Sequence, residues 1–301
     1  MSIDCSGGDG MTDAFMNGAC TALVTPFLDD QINYPMMEQL LRRQLDAGIR
    51  AVVICGTTGE APTLSDQEKL ELFSRAKHYT GGACKIIAGT GSNSTLHTLQ
   101  LSSSAEKCGA DGLLVVTPYY NKATAEGLVS HYTAIAQSVD IPIIAYNVPS
   151  RTGVDIPVSV YKKLNAIPNI IGTKEAGTDI TKITKIQISC GSRMQIWSGN
   201  DDMTVPAMAL GAKGVISVLS NVLPVETDAM CRAALDGDFD TAAALQIRLQ
   251  PLVEALFCEV NPIPVKEAMK IIGFDCGQCR MPLSSMKEEN RKRLQMLLAS
   301  F

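Results

Sequence analysis

Eight short runs of aliphatic and β-branched residues, each followed by a segment with helical spacing, predict a (β/α)8 barrel with a small helical region at its C-terminal end. The runs lack the polar alternation of half-exposed strands, as parallel strands covered on both faces should. Successive runs lie about 20 to 30 residues apart, room for one strand and one crossover helix. A doubly wound sheet is the competing arrangement, but no G-x-G-x-x-G follows the first run.

In order, the runs are CTALVTPF (20–27), AVVICGTT (51–58), KIIAGTG (85–91), GLLVVTPYY (112–120), PIIAYNVP (142–149), IIGTKEA (170–176), MQIWSGND (194–201) and GVISVLS (214–220). Leu40, Leu41 and Leu45 recur on a helical period before Gly48, and Ala105 leads to Gly109; both glycines suit helix C-termini. Ser65-Asp66-Gln67-Glu68 precedes Leu70, Leu72 and Phe73, the pattern of a capped, acidic first turn. Past the eighth run the spacing is helical throughout, over 224–236, 240–258, 262–273 and 284–299, with a stiff break at Asn261-Pro262-Ile263-Pro264. The opening MSIDCSGGDGMTDAFMNG is polar, acidic and glycine-rich, with neither the positive start nor the apolar core of a signal peptide. The expected division is a flexible leader over 1–17, the barrel over 18–236 and the helical region over 237–301.

Composition narrows the functional classes. In 301 residues, 46% are hydrophobic and 19% charged, which describes a soluble globular chain with ample core. A net charge of -5 argues against nucleic acid or an anionic membrane as partner. No stretch approaches the roughly 20 apolar residues of a membrane span. The ten cysteines are scattered, several inside apolar runs, which fits reduced thiols in a cytoplasmic protein. Cys276 and Cys279 form a lone C-x-x-C, and His78, His97 and His131 lie far apart, so no metal site is expected.

Barrel enzymes work at the C-terminal ends of their strands, and there the runs end in polar groups. The sixth ends in Lys174, a lysine closing a buried strand. Burial favours the neutral amine, and such lysines form Schiff bases with carbonyl substrates; a strand-end lysine reaching for solvent is an equal reading. Gly56-Thr57-Thr58-Gly59-Glu60 offers hydroxyls and backbone N–H groups to a carboxylate, or is an ordinary turn. Tyr146 beside Asn147 can give and accept a proton. Arg151, on the loop after the fifth run, presents a planar fork for a carboxylate. Each has a purely structural alternative; their gathering at one predicted rim favours a site.

Together GTTGE (56–60), VTPYYN (116–121), YNVPSRTG (146–153), IIGTKEA (170–176), SGND (198–201), GVISV (214–218) and NPIPVK (261–266) resemble the dihydrodipicolinate synthase family of pyruvate-dependent Schiff-base aldolases, from about Gly18 to the C-terminus. The resemblance implies that Lys174 condenses with pyruvate and that the enamine attacks L-aspartate 4-semialdehyde, without cofactor. It implies a proton relay of Tyr146, Thr57 and Tyr120, the last lent across a subunit interface of a homotetramer, a dimer of dimers. Thr58 would hold the pyruvate carboxylate, Arg151 the semialdehyde's, and Ile216, Gly199 and Asn200 would line the site. Sugar-acid aldolases of the same superfamily carry other residues in place of Arg151 and Tyr120. Family members inhibited by L-lysine bind it between paired subunits. Asn93 and Tyr119 match that site, but Lys69 stands where a histidine is usual, His97 where a glutamate is, and Asp66 replaces a second histidine. Lysine inhibition is therefore expected to be weak or absent.

Overall fold

The computed structural model describes residues 14–301. Eight parallel strands close into a barrel: β1 Gly18–Ala22, β2 Ala51–Ile54, β3 Lys85–Gly89, β4 Gly112–Val116, β5 Ile143–Asn147, β6 Ile170–Glu175, β7 Gln195–Ser198 and β8 Gly214–Ser217. Each pairs with the next in sequence, and β8 returns to β1 with Gly18 opposite Gly214 and Cys20 opposite Ile216. The pattern of burial explains the continuous apolar runs. In β2, Ala51 and Val53 face the barrel interior while Val52 and Ile54 face the helices, so neither face tolerates a polar residue.

The interior is small and filled. Trp197 occupies its lower part and donates its indole N–H to the Met16 carbonyl at 3.1 Å. Gly172 on the neighbouring strand makes room, since a Cβ there would lie 2.2 Å from the Gln195 carbonyl and 2.7 Å from the Trp197 ring. Phe15 donates its N–H to Gln195 Oε1 at 2.9 Å, and its ring lies under the Lys85 ammonium and against Gly112. All three residues begin strands, so Phe15 and buried Met16 close the N-terminal end of the barrel. The rest of the expected leader, 1–13, lies outside the described residues.

Helices α1 Tyr34–Asp46, α2 Asp66–Thr80, α3 Thr95–Lys107, α4 Ala125–Ala136, α5 Val158–Leu164, α6 Thr181–Cys190, α7 Thr204–Ala209 and α8 Pro224–Leu235 follow the strands in turn. The start of α2 is a full capping box: Ser65 Oγ accepts from the Glu68 N–H, and Glu68 accepts from the Ser65 N–H at 2.8 Å. Gly48 and Gly109, with φ of +86° and +87°, lie just past the caps that end α1 and α3.

Several strands stop short of the expected runs. β1 ends at Ala22 rather than 27, and β4 at Val116 rather than 120. Beyond β1 the chain stays apolar because it is buried: Leu23, Val24 and Phe27 belong to the outer core, and Phe27 pairs with Ile32 in a two-residue hairpin, whereas beyond β4 Tyr119 and Tyr120 come out to the surface. Hydrophobicity continues past the last ladder hydrogen bond.

The tail comprises α9 Phe239–Leu256, α10 Ile263–Ile271 and α11 Glu288–Leu298. It is fastened to the rim by a buried ion pair, Lys266 Nζ to Glu60 Oε1 at 2.8 Å, with the Arg280 N–H donating to Glu60 Oε2 at 2.8 Å. The Arg280 guanidinium continues to Glu68 at 2.6 Å, tying the loop of Gly56–Glu60 and the start of α2 to the same segment. Burial pushes the thiols of Cys276 and Cys279, within that segment, up to about 12, which leaves them protonated and unreactive. Among the described residues no helix is long and apolar enough to cross a membrane.

Candidate active site

At the C-terminal ends of the strands lies a cavity of about 190 Å3. Lys174, Tyr146, Thr57, Thr58, Arg151, Gly199 and Asn200 all line it. Lys174 is the last inward-facing residue of β6 and only 5% exposed; its Nζ lies 4.5 Å from the centre of the Tyr146 ring. The two are register partners on β5 and β6, so the ladder itself brings amine and phenol together. Gly199 follows β7, and its missing side chain leaves the space beside the lysine: a Cβ would stand 3.1 Å from Lys174 Cε.

The strand pair carrying these groups is locked from behind. Glu175, facing away from the cavity, accepts from Asn147 Nδ2 at 2.7 Å, the Gly177 N–H at 2.8 Å and the Tyr161 hydroxyl at 3.0 Å. Burial raises its pKa, opposed first by the Lys182 ammonium. On the other side, buried Asp201 accepts from the N–H groups of Val218 and Leu219 at 2.9 and 3.1 Å, holding the chain beyond β8. Burial raises this carboxyl as well, opposed by Ser217 and the two amides.

The glycine-flanked loop after β2 is shaped by contact. A Cβ on Gly59 would come within 3.1 Å of the Leu23 carbonyl, and Glu60 takes a left-handed conformation (φ +57°) that its buried ion pair holds in place. Thr58 is buried while Thr57 is half-buried. Arg151 sits on a helical turn, Pro149–Thr152, that directly follows β5.

Two expected site residues stand elsewhere. Ile216 does not line the cavity; it is buried in the barrel interior, in the cluster that holds Cys20 and Tyr146. Tyr120 lies outside it too, 88% exposed on the surface with φ at +73°. Two further residues were not singled out from sequence: Phe257 and Asn261 enter the cavity wall from the tail. Asn261 opens the NPIPVK motif, which was visible, but an asparagine between helices carries no chemical signature. Its Nδ2 donates to Thr58 Oγ1 at 3.0 Å, and its carbonyl accepts from Arg151 Nη2 at 3.2 Å. Among the described residues no group of three or more His, Cys, Asp or Glu is placed to hold a metal ion.

A buried lysine amine, a phenol and a hydroxyl loop beside a guanidinium suit imine chemistry on a carbonyl that carries a carboxylate. Comparison with known proteins agrees with that chemistry. A profile of the dihydrodipicolinate synthetase family matches residues 15–300. The 4-hydroxy-tetrahydrodipicolinate synthase of Thermoanaerobacter sp. (strain X514) is 44% identical over 285 residues, 94% of this chain and 96% of that one. The crystal structure of dihydrodipicolinate synthase from Aquifex aeolicus superposes with a TM-score of 0.93 at 43% identity, covering 95% of this chain and 98% of that one. A monomeric dihydrodipicolinate synthase variant superposes at 0.92 with 42% identity, over 94% and 96% of the two chains.

Proposed function

The chain belongs to the dihydrodipicolinate synthetase family, and from that premise we propose that it condenses pyruvate with L-aspartate 4-semialdehyde through an imine on Lys174. The product is 4-hydroxy-tetrahydrodipicolinate, on the way to diaminopimelate and lysine. The observation that supports it best is a buried lysine beside a tyrosine, in a cavity whose remaining polar groups are donors suited to carboxylates.

The steps follow from the placement. Lys174 adds to the pyruvate ketone and water leaves, giving a protonated imine. That imine is an electron sink, so the adjacent methyl loses a proton and the enamine carbon attacks the aldehyde. Closure of the product's own amine on the imine carbon releases the lysine. Proton transfers to carbinolamine, water and alkoxide need a group that both gives and accepts, and Tyr146 with Thr57 supplies it. Thr58 and the loop N–H groups hold the pyruvate carboxylate, Arg151 that of the semialdehyde, with Gly199 and Asn200 completing the wall.

The remaining assignments are part of the same reading. We assign Tyr120 to the relay of a neighbouring subunit, in a homotetramer built as a dimer of dimers. Its exposure supports this, since its side chain makes no hydrogen bond among the described residues. Ile216 supports the site from below. Nine free thiols among the described residues suit the reducing cytoplasm. Pyruvate with borohydride tests the proposal: peptide mapping should find the adduct on Lys174 and on no other lysine. Lys174→Arg should give none, because a guanidinium stays protonated. An adduct elsewhere, or turnover of the two substrates without one, overturns it.

A further inference from the structure

Asn261 stands at the junction of α9 and α10, 6% exposed, and touches both groups assigned to anions. Its side chain serves Thr58, while its main-chain carbonyl serves Arg151. The remaining amide atom, Oδ1, is buried without a hydrogen-bond partner. Buried polar groups are nearly always paired, so an unpaired acceptor marks a side chain retained for something other than stability. The proline that follows restricts the backbone of Asn261 and keeps the amide in place.

We infer that Asn261 is a positioning residue that orients the Thr58 hydroxyl toward the pyruvate carboxylate, making the helical tail part of first-substrate binding. A hydroxyl has one proton and two lone pairs. An amide N–H given to one lone pair leaves the proton free to donate into the cavity. A partner that accepted instead would take that proton and turn a lone pair toward the anion. The contact with Arg151 uses only a carbonyl, which every residue possesses. The side chain therefore bears on pyruvate and leaves the semialdehyde almost untouched.

The inference rests on the reading of Lys174 and Thr58 above, and borohydride trapping keeps the two separable. The half-saturating pyruvate for trapping is measured in wild type, Asn261→Ala, Asn261→Asp and Thr58→Val, with the semialdehyde KM from steady-state rates. Losing one aligned hydrogen bond to a charged group should raise half-saturating pyruvate about tenfold in Asn261→Ala. Asn261→Asp, though closer in shape, should be worse, since it accepts the Thr58 proton and adds charge near the anion. Adduct at saturating pyruvate and the semialdehyde KM should stay within about threefold of wild type, the scale of a lost minor contact. In a Thr58→Val background Asn261→Ala should cost nothing more. Wild-type protein that gains no adduct overturns the reading of Lys174 and this role with it. Trapped wild type with unshifted Asn261→Ala, an Asp variant milder than Ala, or losses that add in full with Thr58→Val overturn this role alone.

Discussion

At Gly199 the cavity wall comes close to the nucleophile itself. A methyl group there would press on Lys174 Cε at 3.1 Å and on the Ala176 Cβ at 2.6 Å, and the lysine is the more mobile of the two. Gly199→Ala should therefore slow pyruvate trapping on Lys174 by about tenfold or more, the equivalent of ~1.4 kcal/mol of misplacement, and should also cost about 1–3 kcal/mol of stability, because the Ala176 Cβ cannot swing aside. Stopped-quench measurement of the adduct against time checks this, and an unchanged rate would show that the lysine has room to step aside. Lys174, Tyr146 and Arg151 were legible in the sequence because each falls at the same predicted end of the barrel, where their gathering outweighs the ordinary reading of any one of them. Asn261 was not, because its importance lies in which hydroxyl it touches, and contacts between distant segments leave no mark on either one.

The strands were legible as elements from their doubly buried faces, and their C-terminal ends were not, because past β1 the buried loop is as apolar as the ladder and past β4 aromatic residues continue out to the surface. Helix α4 carries a different consequence of burial. His131 is 4% exposed, shares a hydrogen bond with Thr95 through Nδ1, and is pulled down to about 4 by loss of solvent. Unfolded chain takes up a proton near pH 6.5 while the fold refuses it until about pH 4. Stability should thus fall by up to about 3 kcal/mol as the pH drops through that window, then level off. Urea titrations at pH 7 and 4.5 should show this loss reduced in His131→Gln. Between α2 and α3, Asp66 is engaged by His97 at 2.8 Å and by Lys69 at 3.6 Å. A carboxylate flanked by two basic groups offers little to an incoming ammonium. We expect initial rates to be unchanged by millimolar L-lysine; half-inhibition well below about 1 mM, which needs more than ~4 kcal/mol of binding, would refute it.

As a whole molecule the chain leaves one piece of its expected relay unused. Tyr120 is held at positive φ, where a bulky residue is disfavoured, with its ring in solvent; neither feature gains anything within a single chain. Mixing inactive Tyr120→Phe with inactive Lys174→Ala should restore activity, because a mixed pair holds one site with both an intact lysine and an intact tyrosine. Equal mixing into dimers leaves about a quarter of all sites intact. Subunits that exchange without regaining activity would show that the tyrosine is not shared. The plug at the other end of the barrel has a practical side. Phe15 and Met16 sit at the starts of the strands, so the backbone entering at Ala14 approaches from the pole opposite the cavity. A resin, sensor surface or fused carrier attached upstream of that point joins the molecule at the end away from the cavity, so it leaves the mouth uncovered for the flowing substrate.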